Sequence, residues 1–169
     1  MRDHKLLDMP LLPYAPDGVM VEDGLIEQAI HFVTANTRTG TTMQGIQRVT
    51  VLEYPLETLR ETITNAVVHR DYALQGGQIQ LLVFDDRLEI RSPGRLPNTL
   101  TLDMIKTGAS YARNPVLVKF VENYGYVEHL GLGIPEKIIK PMVACGNPEP
   151  EIFDTGYEFN VILKKRQDI

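Results

Sequence analysis

The chain has 169 residues, 43% of them hydrophobic and 23% charged, which is the composition of one globular domain. Its net charge of −5 argues against a non-specific nucleic-acid binder, because such domains carry a clustered basic surface. The single cysteine, Cys145, excludes an internal disulfide and a cysteine metal cluster. No run of about 18 apolar residues occurs and the N-terminus lacks the apolar core of a signal peptide, so we expect a cytoplasmic protein.

The first predicted elements are a tail, a helix and a hairpin. Residues 1–22 hold three prolines and follow neither the helical nor the strand period, which indicates a connector or tail from an upstream domain. We expect Asp23 to cap a helix that ends near Asn36, because apolar residues recur there at helical spacing. Threonines and valines between Thr39 and Glu53 then indicate two short strands around a turn.

The next predicted helix, residues 55–72, has two faces of different character. Glu61, Asn65 and His69 step by four along a polar face. The opposite face is apolar and is expected to enter the core; it is formed by Leu56, Leu59, Ile63, Ala66 and Val67. A carboxylate and a carboxamide on adjacent turns could position a water molecule and a metal ion beside a phosphate.

The second half of the chain is predicted to hold six further elements. In order they are strands at 78–84 and 88–91, a helical fragment at 101–106 within a long loop at 92–114, a helix from Pro115 to before Gly125, a helix at 135–144 and a strand at 157–163. A loop of that length is usually functional or disordered. Gly131 and Gly133 precede the helix at 135, where backbone N–H groups and the helix dipole favour an anion.

Several familiar motifs are excluded. The segment 69–71 reads His-Arg-Asp as in the catalytic loop of protein kinases, but Gly76 stands where that loop needs an asparagine. The phosphate-loop pattern G-x-x-x-x-G-K-[ST] is absent, so no helicase motor of that class lies in these residues. The four histidines form no i, i+4 pair, which makes a zinc site improbable. Arg113 could face a phosphate, while Asn114 before Pro115 is typical of a helix N-terminus.

Five segments occur in the order EYPLETLRETITNAVVHRDY, FDDRLEIRSPGRLP, GASYARNP, GLGIPEKII and YEFNVIL. Together they resemble the bacterial family labelled ATP-dependent DNA helicase, RecG-like C-terminal, which is similar to the GHKL ATPases such as gyrase and the sensor histidine kinases. The resemblance implies an α+β fold: a two-layer α/β sandwich with a mixed sheet, helices on one face, and nucleotide between helices and a mobile lid. We expect this domain to span residues 23–166, followed by a tail at 167–169.

Site residues follow from the same resemblance. Glu61 looks like the general base that activates water, and Asn65 like the ligand of a phosphate-bound Mg²⁺. Gly131 and Gly133 resemble the second glycine box, and Gly94 resembles a glycine of the first box beneath adenine. The other candidate nucleotide-binding residues are His69, Ser92, Ser110, Arg113 and Leu132.

One position departs from the GHKL pattern. Ser92 stands where the first box has an aspartate that accepts the adenine amino group, and Leu96 replaces the second glycine of that box. Loss of a charge-assisted hydrogen bond costs about 1–2 kcal/mol, so a hydroxyl is the weaker partner.

Two functions therefore stay open. The first is an ATP- and Mg²⁺-binding domain, with slow hydrolysis, of a bacterial DNA-binding transcriptional regulator or helicase-related protein that contacts DNA only through other domains. The second is a degenerate, non-catalytic dimerisation or protein-interaction module, which would make a homodimer. Neither function involves a membrane.

Overall fold

The computed structural model describes residues 5–8, 24–44, 46–97, 99–123 and 132–166. Within these ranges the helices are α1 (Leu25–Asn36), α2 (Leu56–His69), α3 (Leu102–Lys106), α4 (Pro115–Asn123), a π-helical segment (Gly133–Ile139) and α5 (Lys140–Ala144), which continues it directly. The strands are β1 (Lys5–Asp8), β2 (Thr39–Gln44), β3 (Gln47–Leu52), β4 (Gln80–Val83), β5 (Arg87–Pro93), β6 (Glu151–Asp154) and β7 (Glu158–Lys164).

Five of these strands form one sheet in the order β1-β4-β5-β7-β6. The predicted α+β sandwich with helices on one face is confirmed, but the prediction of a mixed sheet is wrong, because all neighbouring strands described here are antiparallel. Tight turns join β4 to β5 and β6 to β7, and a turn of two or three residues can only join antiparallel strands.

The core lies between this sheet and the helices. On the helix-facing side, Leu81, Ile90 and Val161 are direct cross-strand neighbours, as are Leu88 and Leu163 one pair further on. Burial of these apolar side chains against the helices supplies most of the stability. The helical residues that join the same core are Ile26, Ala29, Ile30 and Val33 from α1 and Leu59, Ile63 and Ala66 from α2.

The other two described strands, β2 and β3, form a separate antiparallel hairpin in which Thr39 pairs with Leu52 and Gln44 with Gln47. This confirms the two short strands predicted from the threonine and valine content. Ile46, at the turn of the hairpin, is 98% exposed.

Two strands escaped prediction. Lys5–Asp8 lies in the stretch predicted to hold neither helix nor strand, yet it forms β1 along the edge of β4. Glu151–Asp154 forms β6 beside β7. A strand of four residues is too short to show a clear alternation of apolar and polar residues. Both strands form because they can pair with the edge of a neighbouring strand.

Helix α2 is shorter than predicted, because it ends at His69 and not at residue 72. Arg70 has an extended backbone (φ −55°, ψ 142°), which stops the helix. The final helix begins at Gly133 with a π-helical turn, ahead of the predicted residue 135.

Some predictions fall outside the described residues, namely the cap at Asp23, the turn at Gly125, the glycine at 131, most of the connector and the tail at 167–169. No described helix combines the length and the apolar character that a membrane crossing requires.

Candidate functional site

A cavity of about 120 Å³ lies between α2, the sheet and the segments that follow β5. Much of its wall is apolar, formed for example by Ile90, Val118 and Phe159. Leu132, a predicted site residue, is more than half exposed and does not line this cavity, and Gly131 lies outside the described residues. The predicted site residues that line it are Glu61, Asn65, His69, Ser92, Gly94, Ser110, Arg113 and Gly133.

Glu61 and Asn65 form a hydrogen-bonded pair at one end of the cavity. Glu61 is only 4% exposed, and Asn65 and His69 on the same face of α2 are partly buried. Asn65, one turn later, donates from Nδ2 to Glu61 Oε1 over 3.1 Å. This bond uses an N–H of the carboxamide and leaves its oxygen as an acceptor, the kind of hard ligand that Mg²⁺ prefers.

Gly133 packs directly against the Glu61 carboxylate. A Cβ atom at residue 133 would lie 1.9 Å from Glu61 Oε1 and 2.9 Å from Glu61 Cδ. No side chain fits there unless Glu61 moves, so glycine is needed for close approach. The two motifs that the sequence analysis singled out, 72 residues apart in the chain, therefore meet in space.

The Glu61 carboxyl has a shifted pKa. Burial raises its pKa above the usual range for glutamate, while the hydrogen bond from Asn65 and the positive charge of Lys137 oppose that rise. A carboxylate with a raised pKa binds a proton more tightly, so it is a better general base than an exposed glutamate.

Side chains from outside α2 cap its C-terminal end. The last carbonyls of a helix have no N–H partner within the helix. Here the bonds run from Ser92 Oγ to Ala66 O (2.8 Å), from Tyr72 Oη to Val67 O (2.9 Å) and from Asn114 Nδ2 to Val68 O (2.9 Å). Ser92 therefore gives its one proton to the helix and presents only oxygen lone pairs to the cavity.

Arg113 is held on the cavity wall by protein groups. Its Nη1 lies 3.2 Å from Asp71 Oδ2, and its Nη2 donates to the carbonyl of Arg95. Gly94 lies directly beside it: φ is +112°, and a Cβ there would be 2.2 Å from Arg113 Nη1. Glycine is thus required at 94 for both its backbone angle and its lack of a side chain. The assignment of Arg113 as a phosphate ligand stays a prediction.

His69 lies at the C-terminal end of α2, facing the same cavity. Burial, with a contribution from the positive charge of Arg113, lowers its pKa to about 4. The imidazole is therefore neutral at physiological pH and offers one donor and one acceptor. Ser110 lies exposed on the loop between α3 and α4.

The possible metal ligands in the cavity can be compared with the ligands that Mg²⁺ requires. In the part of the chain that the structure describes, no group of three His, Cys, Asp or Glu residues could hold a metal ion. Mg²⁺ is usually bound by one or two protein oxygens together with water and substrate phosphates. Glu61 and Asn65 fit a metal that arrives with a phosphate ligand, and they do not fit one held by protein groups alone.

Sequence reasoning gave no role to Asp71 and Tyr72 and found only one of the two roles of Asn114. Asp71 pairs with Arg113, and Tyr72 and Asn114 bond the end of α2. Asn114 was expected to begin α4, and the helix does begin at Pro115, with the carbonyl of Asn114 accepting the N–H of Val118. The side-chain amide of Asn114 also donates to Val68 O and Arg70 O, 46 and 44 residues away in the chain, a contact that no local pattern signals.

A family model described as "Putative ATP-dependent DNA helicase recG C-terminal" matches residues 76–163, slightly more than half of the chain. This chain is a member of that RecG C-terminal family. Among the candidate residues, the match spans Ser92, Gly94, Ser110, Arg113 and the glycine segment 131–133, whereas Glu61, Asn65 and His69 on α2 lie before it.

A solved structure extends the comparison beyond that match. This member of the RecG C-terminal family is similar to the DIP2311 protein from Corynebacterium diphtheriae, with a TM-score of 0.74 and 25% sequence identity over 83% of this chain. The chain spans 29% of the length of that protein. A search of curated proteins found no match.

Proposed function

We propose that the cavity between α2 and the sheet binds ATP together with Mg²⁺, and that the domain hydrolyses the nucleotide slowly. One observation carries the proposal: Glu61 contacts both Asn65 and Gly133, and all three residues line an otherwise largely apolar cavity. An apolar pocket with a few convergent polar groups, one of them with a shifted pKa, is the usual form of a ligand site.

The residues divide the chemistry between them. Glu61 is the group that takes a proton from the attacking water, and the Asn65 amide holds its Oε1 in place. The amide oxygen of Asn65 would hold the metal, whose positive charge would offset that of the phosphates. Gly133 lets the backbone approach the carboxylate, and the apolar wall formed by Ile90 and Phe159 suits a nucleobase.

Ser92 is the base-recognition residue in this proposal. Its hydroxyl proton is donated to Ala66 O, so only acceptor capacity remains. That matches the amino group of adenine, which donates. Because a hydroxyl replaces a carboxylate, the expected affinity is weak.

The alternative is a non-catalytic dimerisation or interaction module with the same fold. It is favoured because Ser92 and Arg113, two of the candidate residues, are already engaged by protein groups. Ser92 donates to the end of α2, and Arg113 forms an ion pair with Asp71 and donates to the carbonyl of Arg95. In this alternative the cavity is closed by structural bonds and takes no nucleotide.

We propose the place of this domain in a larger protein from its net charge and from the length of the DIP2311 chain. A net charge of −5 disfavours direct DNA contact, so DNA binding would belong to other domains of a bacterial regulator or helicase-related protein. The DIP2311 chain, more than three times as long as the matched part, leaves room for such domains in a similar protein. We propose that the protein acts in the cytoplasm, where ATP and Mg²⁺ are present.

A calorimetric titration with Mg-ATP separates the two functions. Nucleotide binding predicts a saturable isotherm at or below millimolar ATP, with a weaker response to Mg-GTP because the guanine O6 that replaces the adenine amino group is an acceptor like Ser92. The absence of saturation for both nucleotides at several millimolar would remove the nucleotide-binding proposal and leave the module.

If binding is found, Glu61→Ala tests the base. Turnover should fall by about 10²–10⁴-fold, as expected for the loss of a general base, while the Kd for Mg-ATP stays within about threefold. The matched control is Glu57→Ala, one turn earlier on α2 and exposed, which should leave turnover unchanged. Equal turnover in the two variants would show that Glu61 is not the base.

A further inference from the structure

The segment that follows β5 borders two spaces in the structure. Arg95, Leu96 and Pro97 line the candidate site, and the same three residues also line a more open groove of about 450 Å³. Where a segment borders open space, close packing of side chains contributes less to holding it in place. The position of this part of the cavity wall therefore depends strongly on its hydrogen bonds.

Two backbone amides of this segment donate to the end of β6 and the turn between β6 and β7. The N–H of Gly94 donates to Tyr157 O over 2.8 Å. The N–H of Leu96 donates to the side chain of Asp154, at Oδ2, over 2.7 Å, although the two residues are 58 apart in the chain. Pro97 has no N–H, so Leu96 has the last backbone donor of the segment.

Asp154 uses both oxygens of its carboxylate for backbone donors. Oδ2 accepts from Leu96, and Oδ1 accepts the N–H of Gly156 over 2.7 Å, which fixes the carboxylate at the end of β6. Both distances are at the short end of the range for N–H···O bonds, as expected for an ionised acceptor. An asparagine side chain has one acceptor oxygen and could serve only one of the two amides. The two bonds therefore explain a carboxylate at this position.

Leu96 connects this carboxylate to the candidate site. The Leu96 side chain is partly buried, packs against the hydrophobic core and lines the cavity. Asp154 is among the residues that line the groove and not among those that line the cavity. An effect of Asp154 on the cavity is therefore expected to pass through the position of Leu96.

We propose that Asp154 is a positioning residue: its carboxylate holds the Leu96 amide and thereby keeps the Leu96 side chain in the apolar wall of the cavity. The effect on nucleotide binding rests on the proposed function, in which the apolar wall accommodates the nucleobase, whereas the positioning itself does not. Asp154 acts on affinity and not on the chemical step, because Glu61 and Asn65 lie on another element, α2.

The first test reads the Leu96 amide without any nucleotide. Amide hydrogen exchange, measured by NMR, should be faster for Leu96 in Asp154→Ala than in the wild type by about tenfold or more, because a bond to a carboxylate is lost. The Gly94 amide keeps its bond to Tyr157 O and should exchange within about threefold of the wild-type rate. Asp154→Asn should give an intermediate rate for Leu96, since two amides share one oxygen.

An unchanged exchange rate of the Leu96 amide would overturn the proposal. If Asp154→Ala does not fold, the same comparison is made with Asp154→Asn, which has nearly the same shape as the wild-type side chain. In that variant an unchanged rate for both Leu96 and Gly156 has the same meaning, because one oxygen cannot serve both amides.

A matched control lies in the adjoining turn. Thr155 Oγ1 donates to Glu158 O over 3.1 Å and accepts the N–H of Glu158 over 3.0 Å, so these bonds stay within the turn. Thr155→Ala removes them and leaves the carboxylate of Asp154 in place, and the Leu96 amide should exchange at the wild-type rate. A rise as large as that in Asp154→Ala would overturn the proposal, because the turn as a whole would then hold the segment.

Affinity links this inference to the proposed function. Asp154→Ala should raise the Kd for Mg-ATP by about tenfold, the size of the effect expected when a leucine contact is lost, while kcat at saturation changes by less than about threefold. This pattern is the reverse of the one expected for Glu61→Ala. Faster exchange of the Leu96 amide with an unchanged Kd would contradict a role of Asp154 in nucleotide binding.

A double-mutant cycle tests whether Asp154 acts through Leu96. Leu96→Ala removes the side chain from the wall, so Asp154→Ala should raise the Kd by a smaller factor in that background than in the wild type. Equal factors in the two backgrounds would overturn the proposal, because Asp154 would then affect the nucleotide by another route. A wild type that binds no ATP removes the proposed function, and the exchange rates of Leu96 then decide the positioning role by themselves.

Discussion

His69 ties the stability of the domain to pH at the level of one side chain. Its pKa falls from the ordinary 6.5 to about 4 in the folded chain, through burial and then the charge of Arg113. Between those values the unfolded chain binds a proton that the folded chain does not, so the free energy of unfolding falls as pH drops from 6.5 to 4 and is unaffected above 6.5.

The variant His69→Gln should remove that acid sensitivity. Between pH 6.5 and pH 4, the free energy of unfolding of His69→Gln should fall less steeply than that of the wild type, and the two slopes should differ by at most about 1.4 kcal/mol per pH unit. Above pH 6.5 the difference in free energy of unfolding between the two proteins should stay constant. Urea denaturation at half-unit pH steps measures this, with His31→Gln on α1 as the control for loss of a histidine. Parallel curves for His69→Gln and the wild type throughout the range would contradict the assignment.

The sequence predicted which residues would come together better than it predicted their hydrogen bonds, because most of the candidate residues line one cavity. The four-residue step of Glu61 and Asn65 placed both on one face, and the structure joins them to Gly133. The hydrogen bond from Ser92 to α2 was not visible in the sequence. Comparing Ser92 with the aspartate that it replaces could not show that its hydroxyl proton is donated to Ala66 O, 26 residues earlier. A side-chain type limits which hydrogen bonds are possible, whereas tertiary packing decides which are made.

At the scale of elements, the end of α2 depends on side chains that arrive from other parts of the chain. Asn114 Nδ2 donates both to Val68 O and to Arg70 O, at 2.9 and 2.8 Å. Asn114→Ala leaves these partly buried carbonyls without that donor, which should cost about 1–3 kcal/mol of stability and loosen the His69–Asp71 segment. Chemical denaturation gives the loss, with exposed Asn123→Ala at the end of α4 as the control; equal losses would contradict a capping role.

Elements were predictable where the local pattern was long and regular. α1 was predicted to within a residue, because twelve residues hold a clear apolar stripe. The end of α2 was misplaced, since the residues up to Tyr72 keep helical composition, whereas the helix ends at His69, where Asn114 bonds the carbonyls of Val68 and Arg70.

At the scale of the whole molecule, the last described residues tie distant elements together. Lys165 Nζ lies 3.1 Å from Glu53 Oε1, at the junction of β3 and α2. Arg166 N–H donates to Asn147 Oδ1, whose Nδ2 in turn donates to the carbonyl of Glu53. The end of β7, the loop after α5 and the start of the site helix therefore form one polar network, and this network anchors α2 at the end opposite Asn114.

The Lys165–Glu53 ion pair of that network should contribute more to stability than the neighbouring Lys164–Glu151 pair. The Lys165 and Glu53 side chains are 15% and 5% exposed, so Lys165→Met leaves a carboxylate buried without its partner, which should cost about 3 kcal/mol. Lys164→Met is the matched control, because Lys164 pairs with Glu151 at about half exposure, and such surface pairs are worth about 0–1 kcal/mol. In the double variant Glu53→Gln/Lys165→Met no charge is buried, so most of the loss should be recovered. Denaturation of the four proteins checks this, and a loss from Lys165→Met no larger than from Lys164→Met would show that the network does not anchor α2.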